Sequence, residues 1–138
     1  MNQQEVLATL AGLSLFADLA DPQLQAVAHT LTDESFADGQ RILREGHAGS
    51  GFYLILEGEV TVRVDGHEVA RLGRGDFFGE TSLLLGETPI ADVVAVGPVS
   101  ALQLSGPELR DFLLAYPMVM YRMLQAVSRR LDRANRRG

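Results

Sequence analysis

The chain has 138 residues, of which 46% are apolar and 22% charged, with no cysteine and a net charge of −6. That length suits one domain with a real core, and the composition is ordinary for a globular protein. It excludes disulfides and thiolate metal sites, a spanning helix, since no run of eighteen apolar residues occurs, and a signal peptide, since MNQQEVLATLAGLSLF carries Glu5 and no early base.

A cytoplasmic protein is the expectation, and Met1 with the basic end favours a complete chain. The charge is uneven. Residues 122–138 hold six arginines (Arg122, Arg129, Arg130, Arg133, Arg136, Arg137) and one acid, Asp132, a net +5, so residues 1–121 carry −11. An acidic body repels nucleic acid. Arginines near a helix C-terminus complement the helix dipole, which explains the basic end without a phosphate partner.

Residues 1–31 read as short helices. Leu7, Leu10, Leu13 and Phe16 recur at roughly helical spacing, interrupted by Gly12. Asp21-Pro22 reads as a helix start, with Asp as cap and Pro at the first helical position. Leu24, Val27, Ala28 and Leu31 then form a buried stripe.

Residues 35–104 read as strands. Gln40–Arg44, Gly51–Glu57, Glu59–Val64 and Glu68–Leu72 are short, β-branched or alternating, and bounded by glycine. Val60, Val62 and Val64 share one face, Thr61 and Arg63 the other. Asp65-Gly66 predicts a two-residue hairpin turn. Asp92–Val96 and Val99–Leu104 follow, divided at Gly97-Pro98. The pattern predicts a mainly β fold, a sandwich, roll or jelly roll.

Residues 105–137 return to helix. Ser105-Gly-Pro-Glu108 is a capping-box pattern, followed by the apolar stripe Leu109, Phe112 and Leu113. Tyr116-Pro117 breaks this helix and a longer one begins. Along it Met120, Leu124, Val127, Leu131 and Ala134 are spaced 4, 3, 4, 3, a heptad seam of about two repeats. The seam predicts a homodimer through this helix; the other reading is a face packed on its own domain.

The stretch 73–91, GRGDFFGETSLLLGETPIA, is the most informative. Gly75-Asp76 marks a turn, and Gly79-Glu80 opens a short helical turn over Thr81 to Leu85. Free amides at such a start suit an anion, and Gly79 lets one approach the backbone closely. Glu80 repels an anion but accepts hydrogen bonds from a neutral diol. A diol beside a phosphate describes a ribose phosphate. The alternative is that Gly79-Glu80 only ends a strand and starts a helix.

With Leu15-Phe16, the run Tyr53-Leu-Ile-Leu-Glu-Gly-Glu-Val60, the run Leu72-Gly-Arg-Gly-Asp-Phe-Phe-Gly-Glu80 and Arg129-Arg130-Leu131, the chain resembles the cyclic-nucleotide-binding domain family over nearly its whole length. That family includes the sensor half of the catabolite activator protein and the regulatory domains of cyclic-nucleotide-dependent kinases. The resemblance implies a β-roll (a double-stranded β-helix, or jelly roll) with short N-terminal helices and a long C-terminal helix. It implies a regulatory sensor with cAMP or cGMP as candidate ligand. Gly79 and Glu80 would open the phosphate-binding cassette, with Glu80 on the ribose 2′-hydroxyl and the amides near Thr81 and Ser82 toward the ligand. Val62, Val69 and Phe78 would line the apolar part of the pocket. Ligand binding would shift the cassette helix and the helices of 105–137.

One departure bears on the ligand. The family's cassette ends in an arginine followed by Ser, Thr or Ala; here Ile90 stands at the arginine position, followed by Ala91 and Asp92. No arginine lies between Arg74 and Arg110, so a shifted alignment does not supply one. Arg71 and Arg74 are the nearest substitutes. Two readings stay open: a sensor that binds a cyclic nucleotide weakly or an altered ligand, and a degenerate interaction or dimerisation module with no small ligand.

His29, His47 and His67 are isolated, so no metal site is expected. Glu57 and Glu59 read as solvated, not as an acid–base pair. No phosphate loop, nucleophile elbow or nucleophile–base pair appears, so the chain is not expected to be an enzyme. No helix-turn-helix fits after residue 137, so these residues are not expected to read DNA by themselves.

Overall fold

The computed structural model describes residues 2–47 and 51–137. They divide into two compact units, residues 29–110 and residues 1–28 with 111–138. The first is an antiparallel roll. The second is helical.

The roll is built on two long strands, β3 (Gly51–Val64) and β6 (Asp92–Ser105), which pair along their lengths. Around them stand β1 (Thr32–Phe36), β2 (Arg41–Leu43), β4 (His67–Leu72) and β5 (Phe77–Phe78). The sheet runs β1-β6-β3-β4, with β2 also on β6 and β5 on β3. The glycines that suggested strand ends are bends within strands. In β3 the register shifts on either side of Glu57, and Gly58 takes φ +96°. A Cβ on Gly58 would collide with the Pro98 carbonyl, so the bends of β3 and β6 face each other. Bulges of this kind curl a sheet without ending its pairing.

The Asp65-Gly66 turn is as the sequence predicts. Both residues have positive φ, 53° and 79°, and Val64 pairs with His67. That is the mirror-image turn whose twist matches a hairpin. Two strands escaped sequence reading. β1 is polar except for Phe36, its only buried residue, and β5 is two residues long.

The interior of the roll is apolar. Phe36, Leu43, Tyr53, Ile55, Val60, Phe78, Val93, Ala95, Val99 and Ala101 form one buried cluster, with Ile42, Val62 and Leu72 packed on it half-buried. Tyr53 stacks on Phe78 at 5.1 Å and meets Phe36 edge-on at 5.8 Å. Burial pushes the Tyr53 phenol up from its ordinary range, so it stays protonated at neutral pH.

In the helical unit, α1 (Gln3–Ala11) is capped by Asn2, whose Oδ1 accepts from the Glu5 N–H at 2.8 Å. A 3₁₀ turn at Ser14–Phe16 buries Leu15 and Phe16. Helix α2 (Asp21–Thr30) starts one residue earlier than expected. Ala20, not Asp21, is the cap: its carbonyl accepts from Leu24 N–H, and the Gln23 side chain accepts from its N–H. Gln23 thus supplies the returning half of a capping box, and Asp21 is free to sit in the first turn. Leu24 and Val27 are buried as the stripe predicts. The division between the units falls inside α4 (Gly106–Ala115), which leads to α5 (Pro117–Arg137). Arg122 on α5 grips Asp18 with two hydrogen bonds, 2.7 and 3.0 Å.

Helix α5 buries Val119 and Met123, not the heptad seam. Met120 is 41% exposed, and Leu124 and Leu131 are each 61% exposed. Val127 is half-buried and Ala134 exposed. The seam is therefore not packed on its own domain. It lies beside the buried stripe, offset by one residue. No helix of the described residues is long and apolar enough to cross a membrane.

Candidate functional site

The cassette begins where β5 ends. Phe78 pairs with Tyr53 and Phe77 with Leu54, which brings Gly79 against the start of β3. Gly79 has φ +95°, and a Cβ there would collide with the Gly51 carbonyl. This corrects the sequence reading of Gly79. Its missing side chain is required by packing on β3 and by its left-handed backbone, not by an approaching anion.

Helix α3 (Glu80–Leu85) follows and closes at Gly86, φ +69°, whose N–H donates to the Ser82 carbonyl. Glu80 is 6% exposed and Ser82 7%. The Ser82 hydroxyl lies 3.4 Å from the Gly79 carbonyl and donates to it. Thr81 is exposed. A carboxylate this buried needs polar partners, which makes Glu80 a placed group and not a surface charge.

The loop after α3 is tied down at both ends. The Pro89 carbonyl accepts from the Gly46 N–H at 2.8 Å. Asp92 Oδ1 accepts from the Glu45 N–H, also at 2.8 Å, and its other oxygen is 3.8 Å from Arg41. Between them Ile90 is 69% exposed and Ala91 half-buried. Ile90 therefore projects from a fixed backbone and does not fill the roll. Leu84 and Leu85 are exposed as well.

Val62 and Phe78 face the apolar interior as expected. Val69 does not. It is the extra residue of a bulge, since Val62 pairs with Ala70 and Arg63 with Glu68, and it is 46% exposed. Leu72 faces the interior in its place. Sequence alternation alone could have found Leu72, but not the bulge that displaces Val69. The ties from Gly46 and Glu45 were also missed, because nothing local marks a loop that bonds a segment some forty residues on.

Arg71 is already engaged. It pairs with Thr61, on the face opposite Val60 and Val62. There its guanidinium bonds Glu59 at 2.8 Å and Glu68 at 3.3 Å. These carboxylates, Glu68 first, push the Arg71 pKa still higher. Arg74 is exposed in the turn that Asp76 closes on the Gly73 N–H.

A curled antiparallel roll carrying a buried carboxylate at the start of a short helix defines a small-ligand sensor module. The family model for the cyclic nucleotide-binding domain matches residues 33–116, and the chain belongs to that family. It is a regulatory domain of the kind found in cAMP- and cGMP-dependent kinases. The cGMP-dependent protein kinase egl-4 of Caenorhabditis briggsae is 33% identical over 103 residues, covering 70% of this chain and 14% of the kinase. The chain thus spans about one-seventh of that relative's length. A cyclic nucleotide-binding domain from Methylobacillus flagellatus superposes with a TM-score of 0.82 at 27% identity, over 97% of this chain and 80% of that one. The regulatory subunit of a cAMP-independent protein kinase A from Trypanosoma brucei has a TM-score of 0.75 at 30% identity, over 91% of this chain and 46% of that one. That structure is a mutant bound to cAMP in its A site, in which alanine replaces a glutamate, arginine a threonine and alanine a valine.

Proposed function

We propose that the domain is a non-catalytic, cytoplasmic regulatory sensor whose ribose subsite is intact and whose phosphate subsite is altered. Glu80 receives the ribose 2′-hydroxyl, amides near Thr81 and Ser82 face the ligand, and Val62 and Phe78 line its apolar part. A cyclic nucleotide, cAMP or cGMP, is held weakly, or an altered ligand replaces it.

The observation that carries this reading is Ile90, exposed on a backbone pinned at Pro89 and Asp92. A charge-assisted bond to phosphate contributes about 1.5–3 kcal/mol, so its absence weakens binding about ten- to a hundredfold. The trypanosome mutant supports the same electrostatic logic. Two of its three substitutions remove a carboxylate and add a guanidinium, and it binds cAMP although its parent is described as cAMP-independent.

Ligand binding is read out through the helices of 105–137, and α5 pairs with a second copy through Met120, Leu124, Val127, Leu131 and Ala134. Their exposure supports a second reading as well, an interaction module without a small ligand. Calorimetry with cAMP and cGMP on the parent and on Ile90→Arg separates the two. A sensor with an altered phosphate subsite gains about ten- to a hundredfold in affinity on Ile90→Arg. No heat from either protein, with unchanged hydrogen exchange in 105–137, favours the interaction module.

A further inference from the structure

The charges around the cassette indicate what the ligand lacks. The interior cluster of the roll contains no basic side chain. Arg71, the nearest arginine before the cassette, is bound to Glu59 and Glu68 on the opposite face. Arg41 stands beside Asp92, whose carboxylate is already bonded to the Glu45 N–H. No arginine or lysine occurs from residue 75 to residue 109. The charged group that the cassette does bury is the carboxylate of Glu80.

An anion placed here loses water beside a buried carboxylate and meets an isoleucine where a cation would be needed. Burial of a charge without a counter-charge is strongly unfavourable. A neutral ligand meets no such cost. Its hydroxyls satisfy Glu80, a flat apolar ring suits Val62, Leu72 and Phe78, and its remaining end lies against Ile90.

We infer that the ligand is an uncharged ribonucleoside, a sugar diol bearing a flat base and no phosphate. This rests on the proposed ribose subsite at Glu80 and names the ligand class for it. The pinned backbone around Ile90 bears on this directly. Hydrogen bonds from Gly46 and Glu45 hold Pro89 and Asp92 in place without any ligand. The loop therefore needs no phosphate to organise it.

The test is calorimetry of the whole domain with adenosine, guanosine, cAMP and cGMP, and with the 2′-deoxy forms of the two nucleosides. The expected result is that a nucleoside binds at least tenfold more tightly than its own cyclic phosphate, and that the 2′-deoxy form binds at least tenfold more weakly than the parent nucleoside. In Ile90→Arg the order of nucleoside and cyclic phosphate inverts. If the parent binds a cyclic phosphate as tightly as the nucleoside, the inference fails and the ribose subsite stands. If cyclic phosphate binds only Ile90→Arg and no nucleoside binds the parent, the inference also fails while the subsite stands. If nothing binds either protein, both fall together.

Discussion

The hydroxyl of Thr61 provides a test of the roll that is independent of any ligand. Thr61 is 1% exposed, between Arg71 and Val94 in the ladder, and its Oγ1 makes no hydrogen bond among the described residues. A buried hydroxyl without a partner costs about 1–3 kcal/mol. Thr61→Val keeps the shape and replaces the hydroxyl with a methyl. Allowing for partial relaxation of the parent, it should stabilise the domain by about 1–2 kcal/mol, which is about 3–6 °C in Tm at this chain length. Thr61→Ser keeps the hydroxyl and deletes the methyl, leaving a small void, and should destabilise by about 1 kcal/mol. Urea unfolding is the assay. The midpoints should rank Val above Thr above Ser at constant m value. A lower midpoint for Thr61→Val would refute the reasoning, because it would mean that the hydroxyl is satisfied in solution.

Three further outcomes follow from the geometry. Gly79→Ala should destabilise by about 2 kcal/mol or more, because a positive φ and a collision with the Gly51 carbonyl act together, whereas Gly86→Ala, with the same sign of φ but open space, should cost about 1 kcal/mol; equal urea midpoints would contradict this. The hydrogen bond from Arg122 holds the Asp18 carboxyl below its ordinary range, with burial opposing it. A depressed carboxylate contributes stability above its unfolded-state pKa and loses that contribution as pH falls through its folded-state pKa. Stability measured against pH should therefore fall less steeply on the acid side in Arg122→Ala than in the parent. Replacing both Leu124 and Leu131 with Glu should convert a dimer to a monomer in sedimentation without lowering the urea midpoint, since both side chains are already 61% exposed; a parent that sediments as a monomer sinks the seam.

Much of the fold was legible because it rests on local chemistry. Asp65-Gly66 announces its turn, since few residues other than these tolerate two successive positive φ values. Leu24, Val27 and Leu31 announce a buried helical face through spacing alone. The order of the pieces from Tyr53 to Glu80 identified the family before any coordinate was seen, and the same stretch places Glu80 at the helix start where it lies.

The misses share a cause, which is long-range geometry. A polar edge strand such as Thr32–Phe36 is held by β6, and its own sequence barely favours it. Gly58 and Gly97-Pro98 look like strand ends until the two bends are seen to face each other. Val69 alternates correctly on paper, yet a one-residue bulge moves it off the interior and leaves that role to Leu72.

By itself, then, the sequence determined the roll, its family and the missing arginine, because spacing, turn chemistry and side-chain charge are properties of the chain. Only the tertiary structure decided what Gly79 is for, that Arg71 is committed to Glu59 and Glu68, and that Ile90 projects outward from a pinned loop. Each of these depends on groups from distant segments meeting at bonding distance, which no local pattern encodes.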